Sequence, residues 1–425
     1  RLLISSFLGH WGKERDERKS LLTMIRINNK VECCGCTACV EICPQKCIEM
    51  KMDEEGFFYP NVNESLCVNC GVCDKVCPIK NPKETADFKQ EAYIVQNKDL
   101  QILKESTAGG AFSAIAEYVI QKGGVVFGVI MLPDYTVRHV KVDNKEDLRY
   151  FRNSKYVQSD PCDTFIAARE ILKTGRLVCY SGTPCQIEGL RSFLKNEYTN
   201  LILVDVVCRA VPSPGVWETY IGDFVNRFGK QNTIRFRDKS LGYQYSTMEL
   251  VGADGKIHRG GIESQEWLRM FFSGMIIRPS CTECRFRKQQ RNSDFTIWDC
   301  FTVHSIDKAF DENCGTTRVL IQSQKGYDIF EAIKDKFICK KISVEIAIKD
   351  VKEMFESPIV PSNRHEFFND YNHMEFQSLL DKYYPVGTKE KLKNFARRVL
   401  NRIGIDRYMK RILQFLKKNR GNYGK

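Results

Sequence analysis

The chain has 425 residues, 43% of them hydrophobic, enough for two or three separately cored domains of ordinary globular composition. Its formal net charge of +12 is concentrated: residues 388–425 hold thirteen Lys and Arg against two acids, so the rest is close to neutral and lacks the spread basic face of a nucleic-acid enzyme. No apolar run approaches the roughly 20 residues of a membrane span, and the longest candidate, VVFGVIML at 125–132, is strand-sized.

Residues 1–30 read as an extension. The first 23 lack a small-residue cleavage site and carry Glu14, Asp16 and Glu17, and Met24 directly precedes the organised sequence. They are expected to be upstream sequence, neither secretory signal nor transit peptide. With 19 cysteines and no secretory signal, a reducing, cytoplasmic compartment fits best.

Residues 33–78 hold ten of those cysteines. Two runs of C-x2-C-x2-C-x3-C-P, Cys33, Cys36, Cys39, Cys43 with Pro44 and Cys67, Cys70, Cys73, Cys77 with Pro78, have the spacing of bacterial ferredoxins with two four-iron clusters. In that pattern the fourth thiolate of each run reaches the other cluster. Cys33, Cys36, Cys39 and Cys77 are therefore assigned to one 4Fe-4S cluster, and Cys67, Cys70, Cys73 and Cys43 to the other. A zinc site would use two separated pairs, and disulfides would not need this regularity. Between the runs, IEMKMDEEGFFYPNV reads as strand, acidic turn and strand. Cys34 and Cys47 fall outside the ligand register and are expected to pack beside the clusters.

The polar linker NPKETADFKQ closes this 31–82 domain. Beyond it, Phe112, Ile115, Ala116, Val119 and Ile120 share one face of a helix that Gly123 and Gly124 end, before a strand. Ser106, Thr107, Ala108, Gly109 and Gly110 open that helix. Their free backbone N–H groups suit a phosphate or a flavin edge, though a plain cap with a tight turn is the bland alternative.

Two later segments share one plan. In GRLVCYSGTPCQIEGLRSFL and in NLILVDVVCRAVPSPGVWETYI, an apolar strand runs past a cysteine, Cys185 or Cys208, into a helix. Both cysteines fall at the carboxyl edge of an expected parallel strand, where open α/β sheets bind ligands. RPSCTECRF adds Cys281 and Cys284. These four could form a third four-iron site, a zinc site or buried structural thiols, and spacing alone leaves all three open. Cys162, Cys179, Cys300, Cys314 and Cys339 show no such placement and read as core or incidental residues.

STAGGAF at 106–112, NSKYVQS at 153–159, GTPCQIEGL at 182–190, DVVCRAVPSP at 205–214 and SCTECRFRKQQRNSDFTIWD at 280–299 together resemble the beta-subunit family of coenzyme F420 hydrogenases and dehydrogenases. The resemblance implies an α/β flavin-binding body preceded by a small α+β ferredoxin-like domain, with FAD beside a third 4Fe-4S cluster at Cys185, Cys208, Cys281 and Cys284. It also implies Ser106, Thr107, Gly109, Gly110, Lys155, Tyr156, Thr183 and Gln186 as flavin-side residues. A cation at Lys155 would stabilise an anionic reduced ring; the alternative is a solvated surface lysine. Two departures lie near the expected active edge: Arg209 and Ala210 replace a His-Gly common in the family, and Asp299, Cys300, Phe301 and Thr302 replace an Asp-Phe-Trp-Gly stretch. The family's coenzyme therefore does not carry over automatically.

On this reading residues 83–165 form the flavin-side region, 166–320 the region of the candidate third cluster, and 321–387 a covering segment with no chemistry of its own. His304, His365 and His373 read as surface or capping residues. Residues 388–425 form a basic amphipathic tail. Leu392, Phe395, Ala396, Val399, Leu400 and Ile403 make one apolar face, and Ile405, Tyr408, Met409, Ile412, Leu413 and Leu416 another. Such a tail can lie on the inner membrane surface or dock on a partner.

The functional expectation is an FAD-dependent iron–sulfur oxidoreductase. It would exchange electrons with a redox partner protein or reduced ferredoxin, and a hydride with a small molecule or deazaflavin-type coenzyme, with no nucleic acid involved. The alternative is an electron-transfer subunit of a larger complex without its own substrate. No catalytic proton donor can be named from the sequence.

Overall fold

The structure, a computed structural model, describes residues 24–85, 87–161, 163–310 and 313–388, together with 392, 395, 396 and 399. The expectations for residues 1–23, for Cys162, for Leu400 and Ile403 of the tail's first apolar face and for the whole of its second lie outside the described residues. Among the described residues no helix is long and apolar enough to cross a membrane.

The first unit runs α1 (Ala38–Glu41), β1 (Ile48–Met52), β2 (Phe58–Val62) and α2 (Val72–Lys75). β1 and β2 pair antiparallel from Ile48↔Val62 to Met52↔Phe58, the expected hairpin. Its acidic turn closes because Asp53 Oδ1 accepts from the Glu55 N–H at 3.1 Å and the Phe57 N–H at 2.8 Å. α1 and α2 are single turns, each beginning directly before a cysteine of the repeated runs.

The body is built on an eight-stranded sheet. Its elements run β3 (Glu91–Asn97), α3 (Leu100–Glu105), α4 (Ala111–Gln121), β4 (Val125–Met131), β5 (Val137–Val142), α5 (Thr164–Lys173), β6 (Val178–Gly182), α6 (Pro184–Leu194), β7 (Leu201–Val206) and α7 (Pro214–Phe228). A separate antiparallel sheet, β8 (Gln231–Asp238), β9 (Thr247–Gly252) and β10 (Ile257–Gly260), precedes α8 (Glu266–Ser273). Then β11 (Phe295–Asp299), β12 (Thr317–Ile321) and β13 (Phe337–Ile342) return to the large sheet, whose order is β13-β3-β12-β11-β7-β6-β4-β5.

β4, β6, β7 and β11 are mutually parallel at the centre. Both faces of this sheet are covered, which explains the unbroken apolar runs in β6 and β7. On one face Ile115 and Val119 of α4 pack with Phe330 and the strand residues Tyr93, Val204 and Val319. On the other, Phe165 of α5 and Ile187, Leu190 and Phe193 of α6 pack on Phe127, Tyr180 and Leu203. Trp217, Phe236 and Trp267 centre a third core, over which the helices Arg364–Tyr371 and Phe376–Tyr383 close.

The covering segment, expected from its short apolar runs to hold helices and strands, includes an edge strand, β13, paired to β3. The strand carries two adjacent exposed lysines, Lys340 and Lys341, a feature that edge strands tolerate.

The first unit docks on α5, α6 and α7. Glu41 Oε2 accepts the Phe165 and Ile166 N–H groups, both at 3.0 Å, and so caps α5 from outside. Gly189 of α6 faces Cys36; a Cβ there would stand 2.7 Å from Cys36 Cβ, so only glycine allows this approach. Ser213, the cap of α7, donates to Glu55 O at 2.7 Å. Arg285 Nη1 donates to Ile79 O at 2.9 Å and ties the end of the unit to the 280s loop.

Candidate functional site

The sheet direction brings the ends of β6, β7 and β11 to one edge, and there the scattered thiols meet. Cys185 begins α6 after β6, Cys208 follows β7, and Cys281 and Cys284 sit on the loop before β11. All four face one another. Burial, then repulsion from Cys281 and Cys185, pushes the Cys208 thiol well up, and Cys281 is pushed up to about 12 mainly by burial. Arg278, Arg287 and Arg291 act in the opposite direction on members of the set. Four thiols that resist joint ionisation among guanidinium groups are a donor set that an iron core would relieve.

In the first unit Cys39 interacts with Cys33 and Cys77 and also with Cys73, Cys36 with Cys39 and Cys77, and Cys77 with Cys33. Cys33, Cys36, Cys39 and Cys77 therefore stand together, and the donor set again fits a cubane. Of Cys67, Cys70, Cys73 and Cys43, Cys43, Cys67 and Cys73 pack round one small core that Cys39 and Cys77 also touch, and Cys70 acts on Cys73. Among the described residues no three His, Cys, Asp or Glu side chains converge as they would on a single ion. A cubane places one cysteine on each iron, so its ligands stand apart.

The two cysteines outside the ligand register occupy definite places. Cys47 lies 3.5 Å from Cys43, sulfur to sulfur. Cys34 is buried between the first unit and the body, where its thiol and those of Cys36 and Cys185 influence one another.

Cys208 also lines a cavity of about 670 Å³, within the range of cofactor sites. Ser106, Thr107, Gly110, Lys155, Tyr156, Thr183 and Gln186 line it too. Gly109 does not: it is wedged between β3 and β12, where a Cβ would stand 2.1 Å from Val95 O, and its N–H donates to Thr317 Oγ1 at 2.7 Å. The expected helix opening is also displaced. Gly110 is the cap of α4, in the left-handed region at φ 78°, and residues 106–110 are the turn that joins α3 to it.

Each lining residue has a local role. Thr183 and Gln186 form a reciprocal cap of α6, with the Thr183 N–H donating to Gln186 Oε1 at 3.0 Å. Thr183 Oγ1 also lies 3.2 Å from Cys185 Sγ, so this residue joins the cavity wall to the thiol set. Tyr156 stacks on Phe271 at 4.8 Å and accepts from Arg237 Nη1 at 3.1 Å. Lys155 Nζ donates to Tyr150 O at 2.7 Å and Arg152 O at 3.0 Å. Burial and the nearby Arg235 bring its pKa down to about 7.

Behind the wall, His139 Nε2–H donates to Ser181 O at 3.1 Å, and Nδ1 accepts from Ser159 Oγ at 3.2 Å. Burial pulls the ring down to about 4. Between that value and the unfolded one of about 6.5, the unfolded chain binds more protons, so stability rises with pH. Falling pH is expected to remove about 1 kcal/mol between about pH 6.5 and about pH 5.5, with the slope approaching about 1.4 kcal/mol per unit in the middle of the window. Urea denaturation at about pH 6.5 and about pH 5.5 should show this slope in the native chain and a flatter one in His139→Asn.

Sequence reading missed Arg237, His139 and the Lys349, Asp350 and Glu353 lining. None belongs to a spaced motif. Arg209, Ala210, Asp299, Phe301 and Thr302, the departures from the family, also line the cavity. Three N–H groups on lining residues are buried without a partner among the described residues: Arg152 Nε, Arg237 Nη2 and Trp298 Nε1. All are donors, which fits a ligand rich in acceptors such as a flavin with its carbonyls and phosphates. His304, His365 and His373 are exposed, away from the cavity.

Residues 175–345 match the family model for the C terminus of the coenzyme F420 hydrogenase/dehydrogenase beta subunit, and residues 32–81 match the 4Fe-4S dicluster domain. Among curated proteins, NADH-quinone oxidoreductase subunit I of Pelobacter propionicus is 35% identical over 81 residues, covering 16% of this chain and 43% of that protein. Ketoisovalerate oxidoreductase subunit VorC of Methanothermobacter marburgensis is 38% identical over 58 residues, covering 13% of this chain and 73% of that one. The chain thus spans under half the length of the first relative. Among solved structures, a chain of the F420-reducing NiFe hydrogenase complex from Methanosarcina barkeri aligns with a TM-score of 0.39 at 15% identity, over 73% of this chain and 96% of that one.

Proposed function

This chain belongs to the coenzyme F420 hydrogenase/dehydrogenase beta-subunit family, behind a 4Fe-4S dicluster domain, and from that premise we propose that it is an FAD-dependent iron–sulfur oxidoreductase acting on a small molecule or a deazaflavin-type coenzyme. Its electron-transfer role follows from the family; the flavin, the third cluster and the substrate are the proposal. The observation that carries it is the position of Cys208, which belongs to the second thiol set and also lines the cavity. A one-electron centre would then adjoin the place where two-electron chemistry is done. Bound FAD would supply the exchange between single electrons from the clusters and a hydride at an organic partner.

The chain's own residues would divide the remaining work. Cys33, Cys36, Cys39 and Cys77 would hold one cluster; Cys67, Cys70, Cys73 and Cys43 the second; Cys185, Cys208, Cys281 and Cys284 the third. Ser106, Thr107, Gly110 and Tyr156 would form the wall against which the flavin lies, and Lys155 would offer a cation that is largely lost above about pH 7. Arg237, buried with its Nη2 unpartnered, would orient an acceptor atom of the ligand. The reshaped lining at Arg209 and Phe301 would set the substrate.

The test is an FAD titration of the anaerobically reconstituted chain. Native protein is expected to bind stoichiometrically, and Arg237→Met to bind about ten- to a hundredfold more weakly, the worth of one charged hydrogen bond. Native protein that takes up no flavin would sink the reading. Flavin that binds but accepts electrons from no small molecule would favour the relay alternative.

A further inference from the structure

We propose that Arg278 is the fixed counter-charge shared by the Cys33, Cys36, Cys39, Cys77 set and the Cys185, Cys208, Cys281, Cys284 set, a positioning residue that joins the two and makes the nearer ferredoxin cluster easier to reduce. This rests on the cluster reading above.

The side chain is 0% exposed, and each of its three nitrogens donates a hydrogen bond. Nε donates to Cys33 O at 2.7 Å, Nη1 to Gln158 Oε1 at 3.0 Å, and Nη2 to Phe58 O at 2.9 Å and to Cys33 Sγ at 3.5 Å. The guanidinium also lies 4.4 Å from the Tyr59 ring centroid. Gln158 Nε2 in turn donates to Cys34 O at 3.2 Å. Gly35 leaves room for both side chains, since a Cβ there would stand 2.5 Å from Gln158 Nε2 and 3.0 Å from Arg278 Cζ.

The backbone of the same residue serves the other set. Its N–H donates to Val211 O at 2.9 Å, three residues after Cys208, and its carbonyl accepts from the Cys281 N–H at 2.9 Å. One residue therefore holds a thiol-bearing loop from the first unit and two from the body.

A guanidinium this deep is costly unless its charge is balanced. Among the described residues no carboxylate forms an ion pair with Arg278; its acceptors are carbonyls, an amide and a thiol. The ionisable groups it couples to include Cys33, Cys34 and Cys281. Cysteine ligands are deprotonated when they hold a metal, so the clusters themselves provide the missing negative charge. Reduction adds one electron to a cluster without moving Arg278. A fixed buried cation and a hydrogen bond to sulfur both stabilise that added charge, and so raise the reduction potential.

The experiment is a dithionite titration of the anaerobically reconstituted full chain, followed by EPR, on the native protein, Arg278→Gln and Arg278→Lys, with iron measured on each. In Arg278→Gln the midpoint of the cluster on Cys33 is expected to shift to more negative potential, while the outer cluster on Cys67 and Cys70 stays put. Arg278→Lys should restore most of the shift by restoring the charge. Unchanged midpoints in Arg278→Gln with full iron overturn the proposal. If the Gln variant fails to load iron, the Lys variant decides: full iron and a near-native midpoint support it, and failure to load or a fully shifted midpoint overturns it. Native iron of about 8 rather than about 12 atoms per chain would instead count against the third cluster, and the two ferredoxin midpoints would still decide the role of Arg278.

Discussion

Exchanging Cys281 and Cys284 together for serine is expected to lower iron from about 12 to about 8 atoms per chain, leaving the two ferredoxin clusters in place. The loop that carries both cysteines is anchored independently of them. The Arg278 backbone bonds Val211, the Arg287 guanidinium binds the carbonyls of Arg209 and Glu353, and the Cys284 N–H donates to Ser357 Oγ at 3.0 Å. The serine variant should therefore fold, and its loss should be local. Iron analysis with EPR counts the clusters. Iron that stays at the native value would show that these two cysteines hold none.

Arg291→Met is expected to destabilise the chain by about 3–5 kcal/mol, the cost of leaving one partner of a buried ion pair alone. Asp205 ends the buried part of β7, three residues before Cys208, and pairs with Arg291 at 3.2 Å with side chains only 2% and 3% exposed. Arg291 Nη1 also donates to Val206 O at 3.0 Å, so it clamps the strand end that opens towards Cys208. Without it the Asp205 carboxylate loses its charged partner in a buried setting. Burial already holds the Asp205 pKa above the usual carboxylate range. The deficit should therefore shrink as pH falls and the acid takes up its proton, and the double variant Asp205→Asn, Arg291→Met should recover much of it. Urea denaturation of the single and double variants measures both effects. An Arg291→Met chain as stable as the native one at neutral pH would contradict the account.

The legible parts of the fold are those in which chemistry repeats at short range. The paired cysteine runs name a dicluster domain by spacing alone, and the structure gathers Cys33, Cys36 and Cys39 with the distant Cys77. The strand-cysteine-helix plan of 178–194 and 201–228 emerges as β6–α6 and β7–α7, because apolar runs followed by Thr183-Pro184 or Ser213-Pro214 are strong helix-start signals. What stayed hidden depends on burial created by partners far along the chain. Arg278 reads as one more arginine until Cys33, 245 residues away, is placed against it. Arg237 and His139 lie on strands whose neighbours decide what they face. Lys349, Asp350 and Glu353 belong to a stretch with no motif, yet they close one side of the cavity. Gly109 shows the opposite case: a residue suited to a ligand loop is required instead by its close approach to two paired strands, β3 and β12.

The central claim is that one chain carries three iron–sulfur centres, one of them beside a flavin. It is tested most directly by iron and released flavin per chain on anaerobically purified native protein. The account predicts about 12 iron atoms with one FAD. About 8 iron atoms and no flavin would contradict it, and would leave a dicluster ferredoxin carried on a body that does no redox chemistry of its own.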